Sequence, residues 1–114
     1  MRKEIRLREE KDFRRAYHQG KTFVNNYLIL HLVNNRLNIN RYGFVISRRL
    51  GKAVERNQLK RRLKEICRLH DPIIKAGFDL VIIPRKTAKT ADFDTLKRAF
   101  RYLLHKNNLF QEKD

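Results

Sequence analysis

"GKAVERNQLKRRLKE" spans Gly51 to Glu65, with six Lys or Arg among its fifteen residues against Glu55 and Glu65. Wound as a helix of about 100° per residue, it places Leu59, Leu63, Ile66 and His70 on one face, with Cys67 at the edge. Asn57, Arg61, Lys64 and Arg68 lie opposite. Arg56 and Lys60 flank the apolar stripe on one side, Arg62 and Glu65 on the other. The pattern predicts a helix from about Ala53 to Leu69, stopped by Asp71-Pro72. Its outer face is nearly one-signed, whereas solvated helices usually mix signs. Like charges at i,i+4, such as Lys60 with Lys64 and Lys64 with Arg68, destabilise by about 0.2–0.5 kcal/mol each. A solvated face gives no reason to tolerate that cost, and anion binding does. Just upstream, Arg48, Arg49 and Lys52 join the free N–H groups of a helix start, a combination able to grip a phosphate. The Gly51-Lys52 pair lacks the glycine spacing of a nucleotide-binding loop.

The rest of the chain agrees with an anionic partner. It has 28 Lys and Arg against 12 Asp and Glu over 114 residues, a net charge of +16 and a pI near 10.7. Holding so much like charge on one small domain costs self-repulsion, so a polyanion is expected, nucleic acid first and an anionic membrane second. Length predicts one domain, residues 1–114, and its charge makes RNA binding the expected role. The single Cys67 excludes an internal disulfide framework and fits a reducing compartment. The charged MRKEIRLREEKD has no apolar signal region, and YLILHLV is too short to span a bilayer. A cytoplasmic location without membrane association is the expectation.

Periodicity supplies the remaining elements. Residues 9–19 read as a short helix carrying Phe13, Ala16 and Tyr17, stopped by Gly20. Residues 23–33 read as a strand with Leu28, Leu30 and Leu32 on one face and Tyr27, Ile29 and His31 on the other. Asn-rich 34–40 reads as a turn, and 41–49 as a second strand, antiparallel to the first in a hairpin. In it Phe44 and Ile46 share one face, and Gly43, Val45 and Ser47 the other. Residues 78–85 form a third strand, apolar on both faces and therefore covered. A last helix over 90–106, capped by Thr90 or Asp92, buries Phe93, Leu96, Phe100, Leu103 and Leu104. The order α-β-β-α-β-α is an α+β class with helices mainly on one side of a sheet. The other face is left open for RNA.

No residues advertise catalysis. His18, His31, His70 and His105 are scattered without ligand spacing. Asp92 and Asp94 suit a helix start, and Asp12 and Asp79 are isolated in sequence. No catalytic and no protein-held metal residues are assigned.

The run Ser47-Arg48-Arg49-Leu50-Gly51-Lys52-Ala53-Val54, with Arg56-Asn57 and Lys60-Arg61-Arg62-Leu63-Lys64-Glu65, resembles the signature of the bacterial ribonuclease P protein subunit family. Lys11-Asp12-Phe13, Tyr17 and Gly20 resemble its N-terminal aromatic helix, and Phe78-Asp79 through Ile83 with Arg85-Lys86 its third strand and following loop. The resemblance implies a two-layer α/β sandwich with a left-handed β-α-β crossover, like the second domain of ribosomal protein S5. It implies a ribonuclease P subunit that binds the catalytic RNA and the 5′ leader of precursor tRNA. The RNA subunit then performs the endonucleolytic hydrolysis with Mg2+ bound chiefly by itself and the substrate. By position, Arg56, Asn57, Lys60, Arg61 and Lys64 would face the RNA subunit. Phe13, Tyr17, His31, Arg48, Arg49 and Lys52 would hold the leader and its phosphates, with Arg62 and Arg68 as general electrostatic contributors. From charge alone, a ribosomal or chaperone-type RNA-binding module stays open, as does a protein-only nuclease.

Overall fold

The computed structural model describes residues 5–111. Three helices and four strands follow in the order α1 (Glu10–Gln19), β1 (Lys21–Val24), β2 (Leu28–Asn34), β3 (Arg41–Phe44), α2 (Ala53–His70), β4 (Phe78–Pro84) and α3 (Phe93–Lys106). The sheet order is β1-β2-β4-β3.

This corrects the sequence reading in three places. The expected strand over 23–33 is two strands joined at Asn25-Asn26-Tyr27, because the Asn25 side chain accepts from the N–H groups of Tyr27 and Leu28 and closes a turn. The order therefore gains a strand. The expected antiparallel hairpin between the first two strands also fails: β2 pairs with β1 and with β4, and β3 lies beyond β4, parallel to it. A strand buried on both faces competes best for the centre of a sheet, and β4 is that strand. β3 is also shorter than 41–49, since a 3-10 turn over Arg48–Leu50 takes up the chain before α2.

Parallel β3 and β4 are joined through α2. Leu80 and Ile82 face α2, and the Ile82 carbonyl accepts from Val45 N–H on the β3 side. For L-residues this puts β3 to the right of β4 when both run upward and α2 lies in front. The chain thus moves leftward, against the usual right-handed rule.

The main core lies between the sheet and the α2–α3 layer. Leu28, Leu30, Leu80, Ile82 and Tyr42 meet Leu63, Ile66, Leu96, Phe100, Leu103 and Leu104 there. Full burial of each such side chain stabilises by roughly 1.5–3 kcal/mol. Cys67, expected at the stripe's edge, is wholly buried, where desolvation raises its thiol pKa. His70 is buried too, its Nδ1–H donating to the Ile66 carbonyl at 2.7 Å. Asp92 caps α3 by accepting from Thr95 N–H at 2.8 Å.

The other sheet face is only partly open, because α1 lies on it. Ala16 packs against Leu7 and Val81, with Phe13, Val33, Val45 and Ile83 around them. Gly43 permits this approach: a Cβ there would sit 2.6 Å from the Phe13 ring. An ionic clamp fastens the seam. Asp79, fully buried on β4, accepts from Arg41 Nε and Nη2 at 2.8 Å each, from Arg15 at 2.9 Å and from Asn35 at 3.0 Å. Arg41 also reaches Asp12 on α1 at 3.5 Å. Its guanidinium pKa is raised, first by the hydrogen bonds to Asp79.

Candidate nucleic-acid interface

Two surfaces emerge on opposite sides of the sheet. On the first, α2 turns Asn57, Arg61, Arg62 and Arg68 to solvent, with Arg56, Lys60 and Lys64 half-buried beside them. Glu65 is drawn into a pair with Arg68 at 2.6 Å, which leaves the remaining cations of that face dominant. The Lys64 pKa is lowered, first by desolvation and then by the charges of Arg6 and Lys60. Crowding of this kind is relieved when an anion arrives. Arg6, in the segment bridged to β3 at Tyr42, extends the face beyond α2.

Arg48, Arg49 and Lys52 are exposed at the start of α2. The Glu55 carboxylate accepts from Lys52 N–H at 3.1 Å and pairs with Lys89 at 3.3 Å. The Lys52 N–H is therefore engaged, and the Glu55 carboxylate stands among the cations that a phosphate would meet at this helix start. Lys89 belongs to the loop after β4, which also exposes Arg85 and Lys86. Reading residue by residue did not assign this loop a contact, although three cations in five residues after a buried strand was the available signal. Arg56 Nε donates to the Gly51 carbonyl at 3.2 Å, bracing the turn into α2.

The second surface is the cleft between α1 and the sheet. Its floor is the outer-face side of β2 and β4: Ile29, His31, Val33 and Ile83. Tyr17 is 40% exposed, and its ring stands edge-on to His31, with centroids 4.9 Å apart and planes at 73°. A 2.9 Å hydrogen bond links His31 Nδ1 and Thr22 Oγ1. Desolvation lowers the His31 pKa, which favours the neutral ring at pH 7. Phe13 is half-buried in the α1 seam. The structure thus brings Tyr17, His31 and Thr22 together over β1 and β2, while Phe13 packs over Gly43 of β3, on the far side of β4. Arg48, Arg49 and Lys52 belong to the rim at the start of α2.

Among the described residues, no three His, Cys, Asp or Glu side chains converge to hold a metal ion. The most buried carboxylate, Asp79, is committed to two guanidinium groups. These side chains do not fit a resident magnesium site. No helix among the described residues is long and apolar enough to cross a membrane.

A model of the ribonuclease P protein family, described as "Ribonuclease P", matches residues 1–108. The chain belongs to this family. It is 38% identical over 109 residues to the ribonuclease P protein component of Caldanaerobacter subterraneus subsp. tengcongensis, covering 96% of this chain and 94% of that one. With the component from Clostridium botulinum strain Loch Maree it shares 40% identity, covering 95% and 98%. The solved RNase P protein from Thermotoga maritima superposes with a TM-score of 0.81 at 38% identity, over 87% of this chain and 94% of that one. The Staphylococcus aureus RNase P protein gives 0.86 at 28% identity, over 94% and 98%. Within a ribonuclease P protein, the one-signed helix and the aromatic cleft have a common context, and a ribosomal or chaperone-type module no longer competes.

Proposed function

We propose that this ribonuclease P protein binds the enzyme's catalytic RNA through α2 and the 5′ leader of precursor tRNA through the α1–sheet cleft, while the RNA performs the hydrolysis. One observation carries the reading: a cationic helix face and an aromatic cleft lie on opposite faces of one sheet, so two RNA segments can be held at once. Arg56, Asn57, Lys60, Arg61 and Lys64 grip the RNA subunit, and Arg48, Arg49 and Lys52 meet phosphates at the rim. Tyr17 and His31 receive leader bases, and Phe13 meets the leader further along α1, over β3. Stacking tolerates any base, since each has a π-face, which suits leaders of varied sequence. Magnesium ions, held chiefly by the RNA subunit and substrate, would neutralise phosphate charge and activate water. The protein raises the local concentration and fixes the orientation of the scissile bond; hydrolysis there releases the leader and leaves a 5′ phosphate on the tRNA.

The test is leader dependence. With the catalytic RNA present, precursor tRNA should bind more tightly than mature tRNA. Tyr17→Ala should erode that preference by roughly 5–150-fold, the equivalent of about 1–3 kcal/mol for one stacked base. Equal affinity for precursor and mature tRNA in the unmodified complex would contradict the reading.

A further inference from the structure

A cavity of about 310 Å³ opens between the β1–β2 turn and α3, on the sheet face opposite the α1 cleft. Its walls are Asn25, Asn26, Tyr27, Arg98 and Tyr102, with Ala99 at its base. Tyr102 is 56% exposed, an unusual position for a large aromatic ring on a helix that buries its own apolar stripe. The Lys106 ammonium lies 5.8 Å from the Tyr102 ring centroid. Arg98, Tyr102 and Lys106 stand at i, i+4 and i+8, so a guanidinium, a ring and an ammonium form one row along α3.

The notch is rigidly built. Asn25 Nδ2 donates to the Ala99 carbonyl at 2.9 Å and fastens the β1–β2 turn to α3. Arg85 donates to the Asn25 carbonyl at 2.8 Å through its guanidinium, and to the Tyr27 carbonyl at 2.8 Å through its backbone N–H. The Thr87 hydroxyl donates to the Asn26 carbonyl. The notch therefore borders the cationic loop of Arg85, Lys86 and Lys89 on the side away from α2.

We propose that this notch is a second single-stranded RNA site, holding one unstacked nucleotide against Tyr102 with Arg98 on its phosphate. The chemistry fits: an exposed ring offers a stacking surface, a guanidinium offers phosphate or π contact, and amide side chains offer donors and acceptors to base edges. The net charge of +16 selects a polyanion over an acidic-poor peptide or a neutral ligand. The site is separate from the leader cleft, so its occupancy does not rest on the leader assignment.

The test uses the full-length protein with a hexauridylate carrying one 4-thiouridine, irradiated and mapped by mass spectrometry. Crosslinks to the Asn25–Tyr27 turn or to Tyr102 are expected. Tyr102→Ala should lower the turn crosslink about fivefold or more, and Tyr102→Phe should retain it. Arg98→Gln should also lower it, which keeps the test alive if Tyr102→Ala fails to fold. Tyr17→Ala should leave the turn crosslink unchanged while reducing crosslinks in the α1 cleft. Crosslinks confined to the cleft and α2, or a turn crosslink indifferent to both Tyr102→Ala and Arg98→Gln, would overturn the proposal.

Discussion

Replacing Asp79 with Asn separates the clamp beneath α1 from the cleft above it. The native carboxylate has no exposed surface and accepts four hydrogen bonds, three of them from guanidinium groups of Arg15 and Arg41. An amide presents donors where acceptors are needed and leaves two cations facing each other. Removing one partner of a buried ion pair typically destabilises by about 3–5 kcal/mol. The side chains of Arg15 and Arg41 keep 34% and 22% of their exposure and can turn toward water, so the lower end, about 3 kcal/mol, is expected. In urea, with a slope of about 1.5 kcal/mol per molar, the midpoint should fall by about 2 M. Asp12→Asn is the control: its contact to Arg41 is longer, at 3.5 Å, and its loss should cost less than about 1 kcal/mol. In a double-mutant cycle, Arg41→Gln should add little once Asp79 is gone. An Asp79→Asn midpoint no lower than that of Asp12→Asn would refute the clamp.

Two further perturbations address charge. On the proposed α2 contacts to phosphate, affinity for the catalytic RNA should fall steeply with salt, and Arg61→Gln should flatten the log–log slope by roughly 0.7–0.9; a slope unchanged by that variant would argue against the α2 contact. The His70 pKa is lowered, first by desolvation, so the unfolded chain binds more protons as pH drops through the ordinary histidine range near about 6.5. Its contribution is fully present above that range and is lost as pH falls toward the folded value. The urea midpoint should therefore be lower at about pH 5.5 than at about pH 7.5, and His70→Gln should shrink the difference. His31 shifts in the same direction but is better hydrated and should contribute less.

Helices were readable because their signal is local. The 3.6 period fixed the core stripe of Leu59, Leu63, Ile66 and His70, and Asp92 capped α3 as one of two candidates. Strand neighbours were not readable, because pairing is decided by competition among segments far apart in sequence. Phe78–Pro84 inserted between two strands that adjacency had paired. The β1–β2 break was missed because Asn25 and Asn26 sit inside a strongly β-forming run; the turn shows in the Asn25 side-chain bonds to Tyr27 and Leu28 and in the Asn25 N–H bond to the Leu28 carbonyl at 3.0 Å. Spacing alone put Asn57, Arg61, Lys64 and Arg68 on the outer face of α2, whereas adding Arg56 and Lys60 to the RNA-facing set rested on the family resemblance. The pairing of Tyr17 with His31, and the convergence of Asp12, Arg15, Arg41 and Asp79, depend on how α1 lies across the sheet. No local pattern encodes that placement.

The most direct test of a positioning protein beside a catalytic RNA is single-turnover cleavage of precursor tRNA at low magnesium, run with protein alone, RNA alone and both. The account predicts no cleavage by the protein alone, slow cleavage by the RNA alone, and fast cleavage at one site by the mixture, yielding a 5′-phosphorylated tRNA. Cleavage by the protein alone, or a mixture no faster than the RNA, would contradict it.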